Sequence, residues 1–110
     1  MLRESYTAVI ERSAELSQHF ATEPYECGWA SEAIFFVRTL EVEGDVAGTI
    51  LQIQISPDGI RWCNEGTNFT LTDDEVNFCK VKHFGNWLRI TGTLPDGAKM
   101  KAIIALNLKA

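Results

Sequence analysis

The sequence predicts an all-β protein: an antiparallel β-sandwich, jelly-roll or immunoglobulin-like, of about seven to eight strands with an N-terminal arm. Three observations carry this. Leu51, Ile53 and Ile55 alternate with Gln52 and Gln54, the period-two pattern of a strand with one buried face. Ser56-Pro57-Asp58-Gly59 follows at once and supplies a turn. Proline presets φ, the aspartate bonds back to nearby backbone, and glycine accepts a positive φ. Turn signals then recur about every ten residues to the C-terminus, the spacing of short paired strands.

Residues 1–28 and 29–110 read as two regimes, an N-terminal arm or edge strand followed by the sandwich domain. In the first, Tyr6 to Glu11 reads as a strand and Ser13 to Phe20 alternates weakly. A helix from Ser5 to Phe20 competes, because Ala, Glu, Leu and Gln favour helices. Ala8, Val9, Leu16 and Phe20 keep no clean helical stripe, so the arm or edge strand is preferred.

Ala33 to Val42 reads as a long strand with Ile34, Phe36, Leu40 and Val42 on one face and Ala33, Phe35 and Val37 on the other. Its first half is apolar on both faces and must be covered twice, by a second layer, a neighbouring subunit or the arm. That makes Phe35 and Val37 interface candidates. Glu43 to Gly48 leads into the strand that ends at Ser56. Cys63 to Thr67 is polar and turn-like, and Phe69 and Leu71 sit in a short strand ending at Asp73-Asp74-Glu75. Val76 to Phe84 is a strand with Cys79 and Val81 on one face and Lys80 and Lys82 on the other. After the Gly85-Asn86 turn, Trp87 to Thr91 returns with Leu88 and Ile90 inward and Arg89 outward. Pro95-Asp96-Gly97 repeats the earlier turn chemistry. The last strand sets Met100, Ala102, Ile104, Leu106 and Leu108 against Lys101, Ile103, Ala105, Asn107 and Lys109.

At 110 residues the chain has room for one core. Its 45% apolar and 23% charged composition is that of an ordinary folded protein. The net charge is −5 and the ten Lys and Arg are scattered, so no basic run can neutralise a row of phosphates and no nucleic-acid partner is expected. Met1 to Tyr6 holds Glu4 and leads into no apolar core of a signal peptide, so cytoplasmic synthesis is expected. The longest apolar run, Ala33 to Val37, is too short to cross a membrane, and no membrane partner is expected. Cys27, Cys63 and Cys79 are odd in number and form no Cys-x-x-Cys pair, so they read as reduced thiols rather than disulfides or zinc ligands.

No catalytic constellation stands out in the sequence. His19 and His83 have no nucleophile or orienting carboxylate in any familiar spacing and read as structural or surface histidines, so the chain is not expected to be an enzyme. Asp73-Asp74-Glu75 lacks the alternating ligands and central glycine of a calcium loop and reads as a solvated turn; no metal or cofactor is expected. Asn68-Phe69-Thr70 matches the glycosylation acceptor pattern and reads as inert without a secretory route. Trp29, in the polar setting Gly28-Trp29-Ala30-Ser31, is the expected interface anchor, because tryptophan is enriched at interface hot spots.

Gly48 to Trp62, with its strand–Ser-x-Asp-Gly-x-x-Trp–strand form, resembles a segment of small β-sandwich structural proteins of tailed bacteriophages and prophages. Phe84 to Ile90, then Gly97 and Met100 to Lys109, follow in the order those proteins show. The likeness spans Ala33 to Lys109. The same motif is similar, more distantly, to discoidin-type sandwich domains, whose first half is longer. The resemblance implies a non-enzymatic, homo-oligomeric structural protein of a virion, decoration or shell-like assembly. It carries Ser56, Asp58 and Gly59 over as turn formers and Trp62 as a packing residue. The alternative it implies is a discoidin-like binding module that presents loop aromatics such as Trp29 or Trp62 to a glycan or protein ligand.

Overall fold

The computed structural model describes residues 5–110. The described residues form nine strands: β1 (Ser5–Ser17), β2 (His19–Ala21), β3 (Tyr25–Glu26), β4 (Glu32–Glu43), β5 (Ile50–Ser56), β6 (Cys63–Thr70), β7 (Val76–Lys82), β8 (Trp87–Thr93) and β9 (Lys99–Lys109). They form two antiparallel sheets packed as a sandwich. One runs β1-β9-β4-β7; the other runs β2-β8-β5-β6, with β3 also on β8.

The pairing is nested. β1 pairs with β9, β2 and β3 with β8, β4 with β7, and β5 with β6. The chain is therefore one long hairpin, its tip between β5 and β6, rolled so that successive pairs fall in alternate layers. The ladders β4·β9 and β5·β8 close the roll. Of the two expected sandwich forms, this is the jelly roll.

Residues 5–28 lie within the sandwich of their own chain. β1 is an edge strand held to β9 from Ser5↔Lys109 to Ser17↔Lys99, bulged on both sides of Glu11. At Gln18 (φ +51) the chain turns from one sheet into the other, and the Leu94 N–H donates to the Gln18 carbonyl at 2.9 Å. β2 and β3 are two pieces of one strand position. Between them Thr22, itself buried, exchanges bonds with β8: its N–H donates to the Ile90 carbonyl at 2.9 Å and its Oγ1 accepts the Ile90 N–H at 3.0 Å. Residues 1–4 of the expected arm lie outside the described residues.

The core lies between the sheets. Met100, Ala102, Ile104, Leu106 and Leu108 of β9 and Ala33, Phe35 and Val37 of β4 face Leu51, Ile53, Leu88 and Ile90, all of them buried. Fully burying a Leu, Ile or Phe contributes roughly 1.5–3 kcal/mol, so this set supplies most of the cohesion. One expected turn is a strand. Cys63 to Thr67 belongs to β6, an edge strand whose backbone pairs with β5 while its polar side chains stay wet. Edge position frees a strand from the apolar alternation that sequence patterns rely on.

Candidate functional site

The outer face of the four-stranded sheet is the most distinctive surface. One register row crosses all four strands as Val9–Ala105–Phe36–Phe78. The Phe36 and Phe78 rings sit with centroids 6.3 Å apart, and Phe78 is 56% exposed. On one side of this row Ile34 lies between Asn107 and Lys80, and on the other Ile103 and Val76 (45% exposed) flank Arg38. Charged pairs border the row: Lys101–Glu41 and Lys99–Glu15, each at 3.9 Å, and Arg38–Glu75 at 3.4 Å.

Strand alternation explains why this strip differs from the expected one. Phe35 and Val37 point into the chain's own core and are fully buried, so they are not available to a partner. What covers them is the second sheet. The side chains that β4 offers outward are Ile34 and Phe36. Phe78 follows from the same alternation, since it shares a face with Lys80; Val9 joins the row only through its pairing with Ala105.

Trp29 is 44% exposed at one end of the sandwich, as its polar neighbours suggested. It lines an open depression of about 490 Å³ together with Ser5, Tyr6 and Tyr25. Burial and the adjacent Tyr6 push the Tyr25 phenol above its ordinary pKa. No local pattern announces this trio, because Tyr6 and Tyr25 come from different strands.

The Ser56–Trp62 segment is a six-residue loop, 57–62, between β5 and β6 rather than a tight turn. Ser56 Oγ accepts the N–H groups of Asp58 (3.2 Å) and Gly59 (2.8 Å) and donates to Asp58 Oδ1 (3.0 Å). Asp58 Oδ1 in turn accepts the N–H groups of Ile60 (2.9 Å) and Arg61 (2.8 Å), and Arg61 Nη1 reaches Asp58 Oδ2 at 2.8 Å. These bonds, led by the Arg61 and Ile60 backbone N–H groups, hold the Asp58 carboxyl down at about 2. Gly59 has φ +78, where a Cβ would stand 3.1 Å from the Trp87 ring. Trp62 is half-buried, outside the core, and the Arg89 guanidinium lies 4.2 Å from its ring centre. Arg89 Nε also donates to Gln54 Oε1 at 2.8 Å, and Gln54 Nε2 to Asn64 Oδ1 at 3.0 Å. Asp58 and Gly59 thus shape the loop, while Trp62 fastens it to the sheet.

The remaining chemical residues are dispersed. His19 Nδ1 lies 3.1 Å from Thr93 Oγ1, and His83 is exposed at the end of β7. Asp73, Asp74 and Glu75 are exposed, and Asp74 Oδ2 accepts from Thr72 Oγ1 at 3.2 Å. Cys27 and Cys79 are buried and Cys63 is exposed, all three as free thiols. Burial pushes the Cys27 thiol up to about 12, and both burial and Glu65 raise that of Cys79. Among the described residues no group of three or more His, Cys, Asp or Glu side chains is placed to hold a metal, and no helix is long and apolar enough to cross a membrane.

With this geometry the fold can be set beside known proteins. No protein-family model matches the chain, and no curated protein matches its sequence. Among solved structures, the SPBc2 prophage-derived protein YomS aligns over 100% of this chain and 96% of its own, with TM-score 0.61 and 5% identity. A structure of infectious bursal disease virus, Gx strain, aligns over 97% of this chain and 32% of that one, with TM-score 0.50 and 14% identity. CpGH89CBM32-5 from Clostridium perfringens, in complex with GalNAc-beta-1,3-galactose, aligns over 98% and 95% of the two chains at TM-score 0.41 and 14% identity, a weak similarity in outline. At such identities the likeness is one of fold. The chain shares its two-sheet architecture with a prophage-derived protein, and sharing a fold leaves the job open.

Proposed function

We propose that this chain is a non-enzymatic structural protein that assembles into, or decorates, a larger particle of the virion or shell kind. The single observation that supports this most is the apolar row Val9–Ala105–Phe36–Phe78 on the outside of the sandwich. A continuous apolar strip bordered by charge is what a protein contact surface looks like, and monomeric proteins seldom leave a large one open to water. The prophage and viral origin of two similar folds accompanies this reading without carrying it. Light scattering of the purified chain over a wide concentration range tests it, with electron microscopy of whatever forms. Association beyond the monomer is expected; a strict monomer at millimolar concentration would overturn the reading.

A second reading has its own observation, exposed Tyr6 and Trp29 with half-buried Tyr25 around an open depression. It makes the chain a discoidin-like binding module whose aromatics take a glycan or a protein. Titration of a glycan panel against tryptophan fluorescence separates the two. A response lost in Trp29→Ala supports the module, and a flat response across the panel counts against a glycan ligand.

A further inference from the structure

We propose that the unit of assembly is a two-fold dimer of this chain, its two four-stranded sheets face to face about an axis lying along the β4/β9 ladder. The inference rests on the assembly reading above and specifies its partner and geometry. An axis along that ladder carries β9 of one copy over β4 of the other while each register row stays over itself. Every row must therefore be complementary to its own reverse.

Four of the six outward rows of the two central strands meet that demand, and the other two set Asn107 over Ile34 and Arg38 over Ile103. At one end Lys109 is the register partner of Glu32, so in the dimer each Lys109 stands over Glu32 of the second copy. At the other end Lys101 pairs with Glu41 and Lys99 with Glu43, and the same exchange sets lysine over glutamate in both rows. In the middle, Phe36 is paired with Ala105, so the large ring of one copy meets the small side chain of the other. On the flanks, Val9 falls over Phe78, because β1 and β7 occupy matching outer positions. An apolar centre with a charged rim is the usual interface arrangement.

The competing two-fold axis, in the same plane but across the strands, fails on charge. It would reverse the rows and set Lys109 over Lys99 and Glu32 over Glu43. Like charges brought face to face cost binding energy and select against that arrangement. Area is also adequate. Four strands ~4.8 Å apart and the 11 residues of β9 at ~3.3 Å each outline a face of ~19 by ~35 Å, or ~650 Å² before side-chain relief. Stable interfaces bury ~800 Å² per partner. Sheets packed in this aligned way lie ~10 Å apart with strands within ~30° of each other.

Cross-linking distinguishes the axes. In a Cys63→Ser background, the Phe36→Cys and Ala105→Cys variants are prepared separately, mixed and gently oxidised. The disulfide-linked product expected is the mixed one, at least 10-fold over either variant linked to itself. Phe36→Asp is expected to return the chain to monomer by light scattering while its circular dichroism melt persists. Predominant self-linking of either cysteine variant, or assembly that survives Phe36→Asp, would overturn this face and axis and leave assembly itself standing. A strict monomer for the unsubstituted chain would overturn both.

Discussion

Arg89 lies over Trp62, its guanidinium carbon 4.2 Å from the ring centre, and so ties the loop after β5 to the neighbouring strand β8. The same guanidinium donates to Gln54 on the intervening strand. One side chain thus joins β8, β5 and the loop between β5 and β6. A stacked, partly desolvated Arg–Trp pair of this kind is worth about 1 kcal/mol.

A double-mutant cycle of Trp62→Ala and Arg89→Ala, followed by urea unfolding, is expected to give a coupling of about 1 kcal/mol. Arg89→Lys should recover little of it, because lysine has neither the planar face nor the fixed donor geometry. Additive single effects would mean that the stack contributes nothing.

Asp58 makes the loop sensitive to acid. Its carboxyl is held at about 2, against 3.8 for an ordinary aspartate, chiefly by backbone N–H donors. A depressed carboxyl stabilises the fold fully above its unfolded pKa, and that contribution disappears as pH falls through the folded value. Asp58→Ala should therefore melt below the unsubstituted protein at neutral pH, with a gap that narrows between pH 3.8 and about 2. A gap that stays constant to pH 2 would show that charge is not its cause.

Two glycines of similar backbone separate strain from crowding. Gly59 (φ +78) faces the Trp87 ring, whereas Gly97 (φ +79) has open space where a Cβ would lie. Gly97→Ala is expected to cost about 1–2 kcal/mol for the left-handed backbone alone. Gly59→Ala should cost more in the same thermal melts; equal costs would remove the role given to Trp87.

Adjacent phenylalanines of β4 should differ sharply. Phe35→Ala opens a cavity between the sheets and is expected to cost about 3–5 kcal/mol. Phe36→Ala trims the outer face, 36% exposed, and should cost under about 1 kcal/mol in the monomer. Chemical denaturation at low protein concentration checks both.

The thiols should react unequally. Cys63 is exposed, while Cys27 and Cys79 are buried with raised pKa values, that of Cys27 at about 12. Since the thiolate is the reactive form, a disulfide reagent at pH 8 should modify one thiol quickly and the other two only on unfolding. Two fast thiols in the native protein would contradict the placement of the buried pair.

Much of the fold was legible because burial leaves a periodic trace. Cys79 and Val81 in β7, Leu88 and Ile90 in β8, and all of β9 point as their alternation indicates. Where burial is one-sided or absent, the trace fades. Polar β6 looked like a turn because an edge strand can be held by backbone bonds alone, and β1 could be read only as an arm or edge strand because its bulges on both sides of Glu11 break the alternation. Phe35 and Val37 looked available to a partner because a both-sided apolar strand does not say which face its own chain will cover.

Alone, the sequence determined that the chain is an antiparallel sandwich and which residues, Ser56, Asp58 and Gly59, shape the connection after β5, because alternation and turn chemistry are local. Only the tertiary structure decided that the sandwich is a jelly roll, that Phe36 rather than Phe35 faces outward, and that Val9, Ala105, Phe36 and Phe78 form one row. Those are outcomes of register between distant strands, and register is set by which side chains the two sheets can jointly bury.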